Sequence, residues 1–116
     1  MRVISQDGTI DVPYDYFSLS MSSGKYKDVE VACIYCQNSS SPIGVKLAEY
    51  SAKAKAIKAM KMLRETYAKI EIIKALASGT CEHMEESLKP EEFKDILKRY
   101  INMEVFRFPQ DNEIEV

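Results

Sequence analysis

Near the C-terminus Phe106 and Phe108 flank Arg107, and Pro109 follows them. Successive side chains of a strand point to opposite sides, so both phenylalanines would share one face and Arg107 would take the other. A guanidinium beside two aromatic rings can hold a flat anionic group through cation–π contact and charge-assisted hydrogen bonds. The same spacing suits a core strand that buries both rings and leaves Arg107 in water. A second basic group lies upstream, where Lys53, Lys55, Lys58, Lys61, Arg64 and Lys69 occur with few acids among them. Most of these cations form the solvated side of a helix. Arg64, with Lys61 a turn earlier, lies nearest the apolar seam and is the best placed to attract a phosphate, which arginine grips bidentately and lysine as a point charge.

Cys33-Ile34-Tyr35-Cys36 and Cys81-Glu82-His83 together supply four sulfur and nitrogen ligands, enough for a tetrahedral zinc site. Against that, Cys33 and Cys36 fall on an expected strand, where residues three apart face opposite ways, and no glycine turn holds them. Buried free thiols are the alternative. A thioredoxin-like role lacks the helix N-terminus that would lower a thiol pKa. Tyr14 and Tyr16 flank Asp15 directly after Pro13, a rigid aromatic edge able to stack on a base, seal a dimer, or simply rest half-buried at a sheet rim.

The elements that must position these groups follow from periodicity. Arg2 to Gln6 and Thr9 to Val12 read as a hairpin around Asp7-Gly8. Tyr16 to Met21 alternates Phe17, Leu19 and Met21 against Ser18 and Ser20, and Ser22-Ser23-Gly24-Lys25 reads as a turn. Lys27 to Cys36 follows with Val29, Val31, Cys33 and Tyr35 on one face. Gln37 to Pro42 reads as a loop, and Ile43, Val45 and Leu47 mark a further strand. At Ser51, a fair N-cap, the period changes to 3.6, and Ala56, Ala59, Met60, Leu63, Tyr67 and Ile70 gather on one arc of a helix that can run to Gly79. Pro90 opens a second helix in which Phe93, Ile96, Leu97, Tyr100 and Ile101 form an apolar stripe and Asn102 is the exit. The tail from Asp111 to Val116 is acidic and is expected to fray. The expected fold is α+β: an antiparallel sheet of about five short strands, two helices on one face, and a returning C-terminal strand, all within a single domain, 1–116.

Composition narrows the function classes. The chain has 116 residues, 46% hydrophobic and 29% charged, with a formal net charge of −2. That suits an ordinary globular domain and disfavours duplex nucleic acid as a partner. No apolar run spans a membrane, and three cysteines, an odd number, point to a reducing cytoplasm. With one histidine and no phosphate loop, nucleophile elbow or HExxH pattern, an enzyme is not expected, nor is a cofactor or a metal.

Three segments together resemble a known group. They are the opening Arg2-Val3-Ile4-Ser5-Gln6-Asp7-Gly8-Thr9-Ile10-Asp11-Val12-Pro13-Tyr14, the run from Glu49-Tyr50-Ser51 into Lys55 to Arg64, and Phe106-Arg107-Phe108-Pro109. In this order they resemble small phage and prophage proteins of Gram-positive bacteria, specifically the first type of Thoeris anti-defence sponge. That resemblance implies a homodimer or hexamer in the cytoplasm of an infected host, binding a cyclic ADP-ribose isomer, and in some members cyclic oligonucleotides, without cleaving it. Sequestration needs a pocket and slow release but no acid, base or nucleophile. The expected ligand-binding set is Lys61, Arg64 and Arg107 for phosphates, Phe93, Tyr100, Phe106 and Phe108 for the base, and Asn102 for the base edge or a ribose hydroxyl. A phage protein–protein inhibitor of anti-CRISPR or anti-restriction type, acting through the acidic tail and exposed tyrosines, is one alternative. A small zinc-binding adaptor is another.

Overall fold

A computed structural model of the chain describes residues 1–77, 95 and 105–115. Among them the architecture is α+β, with two three-stranded sheets and a long helix. The first sheet holds β1 (Arg2–Ile4), β2 (Asp11–Pro13) and β6 (Val105–Arg107) in the order β2-β1-β6. The second holds β3 (Ser18–Tyr26), β4 (Val29–Asn38) and β5 (Ser41–Tyr50) as an antiparallel meander. Helix α1 spans Lys53–Ala77.

The expected single antiparallel sheet is therefore divided, and the returning strand β6 joins β1 in parallel. The first hairpin forms as its Asp-Gly dipeptide predicts: Gly8 takes φ 78°, and Asp7 Oδ1 accepts from Ser5 Oγ (2.6 Å), Thr9 N–H (3.0 Å) and Thr9 Oγ1 (2.7 Å). The next turn differs from expectation. Ser22 to Lys25 is strand, and the reversal falls at Lys27 (φ 50°) and Asp28 (φ 65°). Ladder pairing from Ser18–Gln37 through Tyr26–Val29 outweighs the local turn preference of Ser-Ser-Gly-Lys. The loop read into Gln37 to Pro42 shrinks to Ser39 and Ser40, since Asn38 already pairs with Ser41. Tyr16 belongs to a short 3-10 turn, Tyr14–Tyr16, ahead of β3.

One face of the β3-β4-β5 sheet supplies Ala32, Ile34, Cys36, Ala48 and Tyr50 to the core, and the arc Ala56, Ala59 and Leu63 of α1 packs on it. Fully burying side chains such as Ile34 or Leu63 stabilises by about 1.5–3 kcal/mol each. Val29, Val31 and Tyr35 occupy the opposite, open face. Ser51 is not the N-cap; the first helical hydrogen bonds go to Ala52 C=O from Lys55 and Ala56 N–H. Two carboxylates hold this end instead. Glu30 Oε1 accepts from Lys53 N–H at 2.9 Å, and Asp111 Oδ1 accepts from Ser51 N–H (2.8 Å) and Oγ (2.9 Å). Lys55 Nζ adds a 3.2 Å ion pair to Asp111.

The tail is pinned where fraying was expected. Asp111–Glu113 forms a 3-10 turn closed by reciprocal bonds between Gln110 and Glu113, and Ile114 is only 4% exposed. Gln6 ties the two sheets and this tail together. Its N–H donates to Leu47 C=O, its Oε1 accepts from Glu49 N–H, and its Nε2 donates to Pro109 C=O. Tyr50 Oη donates to the same Pro109 carbonyl at 2.8 Å. The second expected helix lies outside the described residues except for Asp95, which is helical. Among the described residues no helix is long and apolar enough to cross a membrane.

Candidate functional site

On α1, Met60, Leu63, Arg64 and Tyr67 follow at i, i+3, i+4 and i+7, one stripe of the helix. This stripe faces the 3-10 turn after β2 and the first residues of β3. Pro13 fixes the approach of that turn, so Tyr14 swings over the helix and Asp15 sits beside it. The result is a groove of about 480 Å³ lined by Tyr14, Asp15, Phe17, Leu19, Met60 and Arg64, with Ser18 and Leu63 completing it. Small-molecule sites span roughly 300–1,000 Å³.

Its polar groups are arranged unequally. Tyr14 and Tyr67 stack at 4.7 Å between centroids with a 48° tilt, and Tyr67 Oη donates to Asp15 Oδ1 at 3.2 Å. Burial raises the Tyr67 phenol pKa first, and the negative charge of Asp15 adds to the rise. Asp15 is thereby held at the Tyr67 side of the groove. Arg64 is exposed and makes neither an ion pair nor a hydrogen bond among the described residues. A guanidinium without a carboxylate partner beside an aromatic and methionine-lined groove is free to take an anion from outside.

The other residues picked out in the sequence are dispersed. Lys61 is exposed and pairs with Glu65 at 3.9 Å. Phe106 and Phe108 do share a face, but it is the core face. They are 8% and 1% exposed, packed edge to face at 5.3 Å, so neither ring offers a surface to a base. Arg107 points to solvent as alternation requires; its guanidinium covers Gly8 and lies 3.5 Å from Gln6 C=O. It stands on β6 beside Ile4, whereas the groove begins beyond β2 at the opposite edge of that sheet, where Tyr14 N–H bonds Met1 C=O. Arg107 does not line the groove. Phe93, Tyr100 and Asn102 lie outside the described residues.

Phe17, Leu19 and Met60 were not foreseen as site residues, because their spacing reads equally as core. The signal that pointed here was Pro13-Tyr14-Asp15-Tyr16, although Tyr16 itself is 75% exposed and outside the groove. Comparison with protein-family models, with curated proteins and with solved structures finds no match to this chain. The chemistry must therefore be read from the residues alone.

For the cysteines the strand geometry decides. Cys36 lies in the core, where burial raises its thiol pKa, while Cys33 turns to the other face and its thiol approaches Glu49 Oε1 at 3.8 Å. The pair cannot close one chelate, and Cys81 and His83 lie outside the described residues.

Proposed function

We propose that the protein is a phage-type sponge that binds a cyclic nucleotide signal of the cyclic ADP-ribose class and holds it unchanged, acting as a homo-oligomer. One observation carries this reading: Arg64, without a carboxylate partner among the described residues, opens onto a groove lined by Tyr14 and Phe17, with Tyr67 packed against the Tyr14 ring. Arg64 would take the pyrophosphate, the Tyr14 ring and the Phe17 side would face the base, and Asp15 would accept from a ribose hydroxyl. Retention by such contacts requires no proton transfer or nucleophile.

The competing reading, a protein–protein inhibitor working through its acidic tail, is weakened by where those acids are used. Asp111 is engaged by Ser51 and Lys55, and Glu113 by Gln110 N–H.

Calorimetric titration with cyclic ADP-ribose isomers and cyclic oligonucleotides tests the proposal, followed by heat denaturation and mass spectrometry of the released ligand. Recovery of intact ligand is expected. No binding across the panel would defeat the reading, and release of a linear product would make the protein an enzyme.

A further inference from the structure

Among the described residues strand β3 pairs on one side only, with β4. The other edge of its sheet is defended. β5 carries Pro42, shows register shifts against β4, and has its outer backbone covered at Leu47 and Glu49 by Gln6. β3 has none of these devices. Its sequence, Ser-Leu-Ser-Met-Ser-Ser-Gly-Lys-Tyr, lacks proline, runs without a register shift against β4, and carries one charge, at Lys25. Among the described residues no backbone hydrogen bond beyond the β4 ladder reaches it.

The ladder determines which groups are free. The two-residue turn makes Tyr26–Val29 a hydrogen-bonded pair, and such pairs alternate along an antiparallel ladder. Ser18, Ser20, Ser22, Gly24 and Tyr26 therefore direct their N–H and C=O groups toward β4. Leu19, Met21, Ser23 and Lys25 direct theirs outward. Leu19 also lines the Arg64 groove.

We propose that β3 is a self-association edge. Two copies pair their β3 strands antiparallel about Ser22, and Lys25 of the partner subunit comes to stand beside Leu19 at the rim of the Arg64 groove. A second copy is the fitting occupant because the strand complements itself. With Ser22 on the twofold axis, Met21 faces Ser23 and Leu19 faces Lys25, so every outward backbone group is paired in a single register. On the open face Ser22 meets Ser22 and Ser20 meets Gly24, side chains small enough for close approach. Shifting the register leaves outward groups unpaired at both ends. The groove would then gain a second cation next to Arg64, suited to the second phosphate of a pyrophosphate. This last step rests on the sponge reading; the strand pairing does not.

Light scattering at micromolar concentration tests the pairing. The wild-type chain is expected to be a dimer. Ser22→Glu, which sets like charges opposite each other on the axis, and Ser23→Pro, which removes an outward N–H while sparing the β4 ladder, are expected to be monomers with unchanged circular dichroism. A monomeric wild type, or a dimer persisting in folded Ser22→Glu, overturns the proposal. Titration with cyclic ADP-ribose then tests the shared rim: Lys25→Ala should remain dimeric and bind about tenfold more weakly. Equal affinity of Lys25→Ala and wild type removes Lys25 from the site. A wild-type dimer that binds no cyclic ADP-ribose defeats the groove reading together with the Lys25 contribution, and leaves the pairing supported by the scattering result.

Discussion

Arg64 and Arg107 have the same charge and opposite surroundings, and together they test where the proposed nucleotide would sit. Arg64 borders an aromatic groove, while Arg107 covers a glycine turn across the small sheet. Arg64→Ala is expected to weaken nucleotide binding by about 1.5–3 kcal/mol, the usual worth of a hydrogen bond to a charged group. Arg107→Ala should leave binding unchanged and shift stability by less than about 0.5 kcal/mol, as for other exposed positions. Calorimetry of the two variants checks this, and the reverse ranking would move the site to β6. Tyr50 provides a stability test at the same scale. Its buried hydroxyl shares the Pro109 carbonyl with Gln6 Nε2, so Tyr50→Phe leaves that acceptor satisfied. A loss of only about 0.5–1.5 kcal/mol in denaturant unfolding is expected. A cost of several kcal/mol would mean that the hydroxyl has a further role.

Among the elements, the β3–β4 hairpin carries an avoidable strain. Lys27 and Asp28 both adopt positive φ, where a Cβ crowds its own carbonyl at roughly 1–2 kcal/mol per residue. Asn-Gly tolerates this conformation best. The double substitution Lys27→Asn and Asp28→Gly is therefore expected to raise stability by about 1–2 kcal/mol, read as a higher denaturant midpoint with an unchanged slope. A lower midpoint would show that the Lys27 ammonium, 5.5 Å from the Tyr26 ring, matters more than backbone strain. The N-terminus of α1 illustrates a different limit on local reasoning. Ser51 has a capping side chain, yet that hydroxyl donates to Asp111, and Glu30 meets the helix N–H of Lys53 in its place.

For the whole molecule, acid stability follows from two aspartates. Hydrogen bonds from Ser5 and Thr9 hold Asp7 at about 2, below its ordinary 3.8, and Asp111 is lowered first by Ser51 N–H, with Lys55 also contributing. A carboxylate with a depressed folded-state pKa stabilises the fold above its unfolded value. That stabilisation drains away as pH falls through the folded value. Stability should thus decline from about pH 4 toward pH 2, and Asp7→Ala should flatten that decline; denaturant midpoints across this range check it. Equal slopes in variant and wild type would remove Asp7 from the acid response.

Local order was written plainly in the sequence. The Asp7-Gly8 hairpin, the Ala56-to-Ile70 arc of α1 and the alternation Phe106-Arg107-Phe108 all appear as read, because each depends on backbone geometry within a few residues. Partner choice was not legible. That β6 joins β1 in parallel, that Ile114 buries itself in the core and that Asp111 secures a helix start 60 residues away all depend on long-range packing. The candidate site divides in the same way. Sequence brought Tyr14, Asp15 and Arg64 to notice as residue types and left open whether they meet. The tertiary fold sent Phe106 and Phe108 into the core and set Arg64 beside Tyr14, since burying apolar area outweighs the aromatic and charged potential of any short motif.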